Sequence, residues 1–159
     1  MAAALEIRQL LELIDESFKR KAWHGPNLRG AIRGLTPWQA ARRPGPGRHS
    51  IWEIVIHCAY WKYIVRRRIL GEKRGSFYLK GSNWFTVERP ADIRIWRRDV
   101  NMLVQYHETL VDAVKSLRPS SLRKTPRGST VSTAAILRGI ASHDVYHAGQ
   151  IQLIKRLIR

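Results

Sequence analysis

The chain has 159 residues and one cysteine, Cys58, so it is long enough for one domain with its own core, and a disulfide framework is excluded. A reducing compartment, by default the cytoplasm, is therefore expected. The formal net charge of +17 indicates affinity for anions. The basic residues are spread along the sequence and do not form a single basic arm or recognition helix. Nucleic acid is therefore not expected as the primary partner.

The first predicted helix runs from about Leu5 to Lys21 and stops before Gly25 and Pro26, because its apolar residues recur at helical spacing. Acidic residues among its leucines are unlike a secretory signal peptide. No segment approaches the roughly 20 apolar residues of a membrane-spanning helix. We therefore expect a soluble protein with no membrane partner.

The next segment, residues 26–49, predicts one or two short helical turns and then a breaker-rich stretch, RRPGPGRH. Thr36 and Pro37 suit the N-cap and first position of such a turn. The second long helix is predicted to begin after Ser50, which forms a capping box with Glu53, and to end at Gly71.

Residues 71–90 predict a long crossover between helices, since the segment is too long for a tight turn. Two of its large apolar residues, Trp84 and Phe85, are expected to be exposed. An exposed pair of this kind would suit a partner surface.

The third helix is predicted from about Ala91 to Leu117, and the last from a Ser132 or Thr130 cap to the C-terminus. Each carries an apolar stripe along one face. Four long amphipathic helices, one crossover and no convincing strand pattern predict an all-α fold, a four-helix bundle, as a single domain over residues 1–159.

Three histidines on these helices form a candidate metal site. On the last helix, His143 and His147 lie within about 20° of the centre of the apolar stripe, and residues four apart are stacked neighbours that can hold one metal ion from one side. On the second helix, His57 lies on the apolar side and can supply a third nitrogen. The alternative is that each is a hydrogen-bonded core histidine. Two unsatisfied imidazoles in a core stripe would cost several kcal/mol, and a shared metal removes that cost.

The segments SIWEIVIHCAYW and HDVYHAGQI, which contain these histidines, resemble the DinB superfamily. In that family one histidine of the second helix and an HxxxH pair of the last helix bind a divalent metal. The resemblance covers nearly the whole chain. It implies that the ligands are His57, His143 and His147, and that the bundle runs up-down-down-up with the crossover between helices two and three.

The resemblance also implies a function. Members related to the bacillithiol and mycothiol S-transferase-like group activate a low-molecular-weight thiol for transfer or isomerisation, and others are regarded as hydrolases. The expected cofactor is a divalent metal, zinc or nickel for a nitrogen-rich site, with a low-molecular-weight thiol as a further candidate. The expected partner is a small thiol or an electrophilic substrate. The oligomeric state is left open, with a homodimer as a candidate because relatives commonly dimerise.

The remaining histidines are expected to lie elsewhere. If the second and third helices run in the same direction, His107 lies roughly 15 Å from His57 along the bundle, which is too far for a shared metal, so we expect a packed or partly exposed side chain. His24 is a candidate contact for substrate or for a metal-bound water, with a polar role at the helix end as the alternative. His49 is expected in a solvated turn.

Three neutral imidazoles leave at least one coordination position open, where a bound water or thiol becomes a nucleophile. Tyr60, Trp61, Tyr146 and Gln150 are candidates for the pocket wall, and core packing is the alternative for each aromatic. Asp144 is expected to project off the stripe, where it is a candidate to orient a ligand imidazole. The sequence does not single out a catalytic residue.

The leading hypothesis is thus a metal-dependent enzyme that activates a thiol or water. A metal-binding module without catalysis is the second. A nucleic-acid binder is the third, and it predicts a contiguous basic face free of acids, which the acidic residues of the first and third helices argue against.

Overall fold

The computed structural model describes residues 2–73, 75, 77–87 and 92–158. Within these ranges the chain is all-helical, as predicted, with no β-strand. It forms six α-helices and one 3₁₀ helix: α1 (Ala2–Phe18), α2 (Leu28–Ile32), α3 (Pro37–Ala41), α4 (Ile51–Leu70), α5 (Ile93–Lys115), the 3₁₀ helix (Pro119–Arg123) and α6 (Thr133–Leu157). No described helix is long and apolar enough to span a membrane.

The long helices α1, α4, α5 and α6 pack around a common interior. Helix α4 lies against α5 and α6, and α1 lies against the same two helices. The short helix α2 covers part of α6 and α1, and α3 covers part of α4. Contacts near the start of α4 and α5 join Trp52 to Trp96, and contacts further along join Tyr63 to Tyr106.

The interior consists of two apolar clusters. One contains Leu103 of α5 and Ala148 of α6, and the other contains Leu110 and Ala141 of the same helices. Between these positions in the sequence, both helices carry buried polar side chains. They are His107 on α5, and Asp144 and His147 on α6. The core is therefore interrupted by a polar layer, and the candidate histidines belong to it.

The predicted helix caps are confirmed. Ser50 and Glu53 form a capping box at the start of α4, and Gly71 ends that helix with a left-handed backbone at φ 68°. Thr36 caps α3. Of the two candidates for the last helix, Ser132 is the cap, since its side chain accepts from the backbone N–H of Ala135.

Other helix boundaries differ from the prediction. Helix α1 ends at Phe18, three residues before the predicted end, and α5 ends at Lys115. The 3₁₀ helix after α5 was not predicted. The predicted start of the third helix at Ala91 and the end of the crossover at Pro90 lie outside the described residues.

The crossover does not expose its large apolar pair as predicted. Phe85 is only 6% exposed, because its ring joins those of Tyr60 and Phe77 at centroid distances of 5.5 and 5.2 Å. Trp84 is half-buried and stacks on histidines. The crossover is also held to α4 by Glu53, whose carboxylate accepts from the backbone N–H of Val87. The expectation that this pair is exposed is therefore wrong.

Candidate metal centre

The three candidate histidines converge in the polar layer. The Nε2 atom of His143 lies 3.0 Å from Nε2 of His57 and 3.1 Å from Nε2 of His147. One potential ligand atom from each residue lies within 4.8 Å of the other two. His57 and His147 are buried and His143 is half-buried. The geometry thus brings together one histidine of α4 and an i, i+4 pair of α6.

Hydrogen bonds at the opposite ring nitrogens fix two of the tautomers. Nδ1 of His57 lies 2.8 Å from the backbone carbonyl of Asn83, and Nδ1 of His147 lies 2.7 Å from the side-chain oxygen of Gln150. Both partners only accept, so each Nδ1 carries the proton and each Nε2 presents a lone pair to His143. This is the arrangement that carbonyl groups hydrogen-bonded to the outer ring nitrogen impose on metal-binding histidines.

The convergence leaves lone pairs that neighbouring protein atoms do not satisfy. A single proton on His143 Nε2 can serve one neighbour, so at least one imidazole lone pair faces another nitrogen. Within the described part of the chain, His143 Nδ1 is also buried without a hydrogen-bond partner. Two nitrogens bound tetrahedrally to one zinc ion at about 2.0–2.1 Å lie about 3.3 Å apart, close to the spacing observed. The donor set therefore fits a divalent metal.

Electrostatics keep the three rings neutral near pH 7. Burial, followed by the charges of His147, His57 and Lys62, lowers the pKa of His143 to about 3. Burial, followed by the charge of His57, lowers the pKa of His147 to about 4, although the bond to Gln150 acts in the opposite direction. Burial also lowers the pKa of His57. Since only neutral imidazole ligates a metal, protons do not compete for these nitrogens at neutral pH.

A tryptophan from the crossover covers one side of the site. The indole of Trp84 stacks on the His57 ring at 3.8 Å and 9°, and its other face stacks on His49 at 3.7 Å and 3°. His49 is held by the carboxylate of Glu53 at 3.3 Å, so this side chain is a partner of Trp84 and not simply part of a solvated turn. The sequence missed both roles, because stacking across a loop leaves no periodic signal.

Asn83 shapes the site from the same loop. Its backbone has a left-handed φ of 66°, which asparagine tolerates better than most residues. In this conformation its carbonyl accepts from His57 and its side-chain oxygen accepts from the indole N–H of Trp61 at 2.9 Å. One crossover residue therefore orients both a candidate ligand and a neighbouring aromatic.

The predicted pocket residues separate into two groups. Trp61 lies edge-on to His57 and His143, and Tyr146 lies edge-on to His147 while its hydroxyl accepts from Gln150 at 2.9 Å. These side chains and Gln150 surround the histidines. Tyr60 instead joins the aromatic cluster with Phe77 and Phe85. His24 lies exposed in a turn after α1, and the contacts described for this part of the chain do not link it to the site.

Asp144 does not project away from the interior as expected. It is fully buried and forms an ion pair with Lys62 of α4, which is also fully buried. The expectation failed because α6 packs on α1, α2 and α4 together, so its buried arc is wider than one apolar stripe. Burial raises the pKa of Asp144 to about 6 despite the attraction of Lys62.

A cavity adjoins the histidines on the side of Trp84 and Gln150. Its volume is about 640 Å³, within the range of small-molecule sites. The wall combines apolar residues with Arg48 and His49; its members are Pro44, Gly45, Pro46, Arg48, His49, Ile54, Trp84, Gln150, Leu153, Ile154 and Leu157. The three candidate ligands are not among these wall residues, but Trp84 and Gln150 contact them, so the cavity neighbours the candidate metal centre.

His107 lies apart from this group, as predicted. It is fully buried, its Nε2 donates to the carboxylate of Asp15 at 3.0 Å, and its ring stacks on Phe18 at 3.9 Å. Its polar contact is therefore to α1. It is a packed core histidine in the described structure.

Comparison with known proteins gives one family. The sequence model of the DinB superfamily matches residues 22–151 of this chain. This span contains His57, His143 and His147 together with the crossover between α4 and α5. Searches of curated proteins and of solved structures each found no significant match.

Proposed function

The chain belongs to the DinB superfamily, and from that premise we propose that it is a metal-dependent enzyme whose divalent ion is held by His57, His143 and His147. The observation that carries the proposal is the convergence of three Nε2 atoms, two of them deprotonated because their Nδ1 protons are committed to Asn83 and Gln150. Zinc or nickel is the preferred ion for such a nitrogen-rich site.

A divalent ion held by His57, His143 and His147 would supply Lewis acidity, which would lower the pKa of a bound thiol or water and so favour a nucleophile near neutral pH. The protein residues orient and shield this chemistry. Asn83 and Gln150 hold the rings of His57 and His147, and Trp84 excludes water from one face of His57. The Tyr146 hydroxyl accepts from Gln150, so its own proton is available to a bound substrate.

The adjoining cavity supports a small electrophilic substrate with an apolar body. Ile54, Leu153 and Ile154 provide apolar wall, and Arg48 provides a positive charge that suits an acidic group. A low-molecular-weight thiol is the second substrate that family membership favours. Attack of the thiol sulfur or water oxygen on the electrophilic carbon would form the new bond as the bond to the leaving group breaks, and the leaving group would take up the proton released from the thiol or water.

The same relationship favours an up-down-down-up four-helix bundle for the four long helices. Two contact series support it. Trp52 with Trp96 and Tyr63 with Tyr106 follow the same order along α4 and α5, as in parallel helices. His57 with His147 and Trp61 with His143 follow opposite order along α4 and α6, as in antiparallel helices.

Elemental analysis of the purified protein, together with thiol-transfer and hydrolysis assays, tests the proposal. We expect about one equivalent of zinc or nickel, lost on replacement of His57, His143 or His147 by alanine and kept in a His107→Gln control, which alters a buried histidine on another helix. Activity should follow metal content and fall when Leu153→Arg fills the cavity. A metal-free protein that binds no added zinc or nickel would overturn the proposal. Full metal content with no turnover of any thiol or ester would favour a non-catalytic metal-binding module.

A further inference from the structure

A second concave surface lies along α5 and contains two adjoining cavities. One, of about 620 Å³, is lined by Tyr78, Arg94, Arg97, Arg98, Asn101, Met102, Gln105 and Tyr106. The other, of about 520 Å³, is lined by Lys19, Asn27, Arg29, Ile32, Arg33, Gly34, Leu35, Trp96, Arg97, Val100 and Asn101. Arg97 and Asn101 line both, so the two cavities are neighbours, and together they are called the arginine groove.

The arginine groove is strongly cationic. Six of its lining side chains are basic, and among the described residues that line it none is acidic. Three of the six, Lys19, Arg94 and Arg98, have an aspartate nearby. The exposed side chains of Arg29, Arg33 and Arg97 have no acidic partner in the part of the chain that the structure describes. These three guanidinium groups are therefore available to an anionic ligand.

The acidic residues of α5 argue against a contiguous basic face, and the structure removes one of them from this surface. The sequence places Asp99 among the arginines of α5, where it would interrupt their positive charge. In the fold Asp99 is only 3% exposed and accepts a hydrogen bond from the indole N–H of Trp52 at 2.8 Å. Its carboxylate is buried and also pairs with Arg98 at 3.0 Å, while the side chain of Arg97 is exposed.

Aromatic and amide groups accompany these charges. Tyr78 is 49% exposed, and its ring lies 4.8 Å from the Arg98 guanidinium, which holds the ring at the groove wall. Tyr106 lines the same cavity, and Asn101 and Gln105 offer amide donors and acceptors. Cations accompanied by an exposed aromatic ring and by amides are the composition of surfaces that bind phosphates and stack unpaired bases.

We propose that the arginine groove binds single-stranded nucleic acid. Arg29, Arg33 and Arg97 contact phosphates, and an unpaired base stacks on Tyr78. From Arg94 to Tyr106 the groove follows α5 for about 18 Å, long enough for several nucleotides. Its concave shape and the position of Tyr78 within it favour an unpaired strand over a flat membrane surface, which basic helices bind through protruding apolar side chains.

This inference is independent of the proposed enzyme activity. The groove is built on α5, α2 and the crossover, whereas the candidate metal ligands lie on α4 and α6. A variant in the groove is therefore expected to keep its metal content. An unchanged thermal unfolding midpoint, followed by circular dichroism, serves as the check that groove variants remain folded.

Fluorescence anisotropy with labelled mixed-sequence strands of about 16 nucleotides, as DNA and as RNA, tests the proposal over about 50 to 200 mM salt. The wild type should bind with a slope of log K against log salt near −2, as for about three phosphate contacts at 0.7 each. Arg33→Ala with Arg97→Ala should reduce that slope by about 1.4. Arg127→Ala with Arg138→Ala, which removes the same charge at exposed positions outside the groove, should leave it unchanged.

A separate variant tests whether a base stacks on Tyr78. Tyr78→Ala should weaken single-strand binding about tenfold without changing the salt slope, as expected for the loss of one stacked base. Trp38→Ala, which removes another exposed aromatic ring outside the groove, is the control and should bind like the wild type. Tight binding to either the DNA or the RNA strand supports the proposal, and the tighter of the two identifies the preferred sugar.

Three results would overturn it. Equal losses in the two arginine double variants would assign binding to diffuse charge. Equal affinity for a duplex, with no effect of Tyr78→Ala, would exclude base stacking. Binding only to vesicles that contain phosphatidylserine would assign the groove to an anionic membrane.

Discussion

At the scale of single residues, Gln150 orients the imidazole of His147 and so sets the direction of its Nε2 lone pair. Its side-chain oxygen accepts from Nδ1 of His147 at 2.7 Å, and its amide nitrogen donates to Tyr146. Removing such an outer partner typically lowers metal affinity 10- to 100-fold. We expect Gln150→Leu to weaken zinc binding by about tenfold in competition titrations with a chelator.

Gln152 provides the matched control, since it lies on the same helix two residues further along and its side chain therefore leaves α6 in another direction. Gln152→Leu should bind zinc like the wild type. Unchanged affinity in Gln150→Leu would show that His147 needs no orienting partner.

His107 gives a pH-dependent prediction away from the site. Burial, followed by the positive charge of Lys62, lowers its pKa well below 6.5, although the Asp15 carboxylate opposes this. The unfolded chain, with an ordinary histidine, binds a proton as the pH falls below about 6.5, and the folded chain does not. Folding stability is therefore complete above that pH and is lost below it, by about 1.4 kcal/mol per pH unit for this one group.

Urea unfolding of the chelator-treated protein at pH 7, 6 and 5 measures this effect. His107→Gln cannot take up the proton, so its free energy of unfolding should fall less steeply than that of the wild type over this range. Other histidines titrate in both proteins and cancel in the difference. Parallel pH profiles would mean that His107 is protonated in the folded chain.

At the scale of helices, the buried ion pair between Lys62 and Asp144 fixes α4 against α6. Both side chains are fully buried, and Asp144 follows the candidate ligand His143 directly. Removing one partner of a buried pair leaves an uncompensated charge and typically costs about 3–5 kcal/mol, whereas replacing both by apolar residues is often neutral. Lys62→Met should therefore lower the free energy of unfolding by about that amount, and adding Asp144→Leu should restore most of it.

Urea unfolding of the wild type, Lys62→Met and the double variant at neutral pH measures how much this ion pair contributes to the free energy of unfolding. Arg66→Met is the control, because Arg66 lies on the same helix and pairs with Glu72 at the surface, where such a pair contributes at most about 1 kcal/mol. A double variant no more stable than Lys62→Met would show that the loss comes from packing and not from the unpaired carboxylate.

The helices also show where sequence reasoning succeeds. Caps are local chemistry, so Ser50 with Glu53, Thr36 and the spacing of His143 and His147 are visible in the sequence. Lys62 is different. A lysine in a helix is ordinarily exposed, and its burial depends on Asp144, 82 positions away.

The crossover shows where sequence reasoning fails. Asn83 and Trp84 lie in irregular backbone, so hydrophobic periodicity carries no information about their direction. Their roles follow from tertiary contacts, the carbonyl of Asn83 with His57 and the indole of Trp84 with two imidazoles. The three candidate histidines could thus be predicted from the sequence, but the groups that orient and cover them could not.

At the scale of the whole molecule, the three candidate histidines link α4 to α6 within the polar layer that separates the two apolar clusters. His143 is central, because its Nε2 lies within 3.1 Å of both other rings. A ligand that binds only the folded chain stabilises it in proportion to RT ln(1 + [L]/Kd). Zinc at about 100 times its Kd should therefore add about 2.7 kcal/mol, or about 5–10 °C in Tm for a chain of this size.

Thermal unfolding followed by circular dichroism, with and without a chelator, measures this shift. His143→Ala should lose the zinc-dependent rise in Tm even where its baseline Tm is already lower, because the comparison is between the same variant with and without zinc. His107→Gln should keep the full rise, since this ring bonds to Asp15 on α1. An equal zinc-dependent rise in His143→Ala would locate the metal elsewhere and separate the polar layer from metal binding.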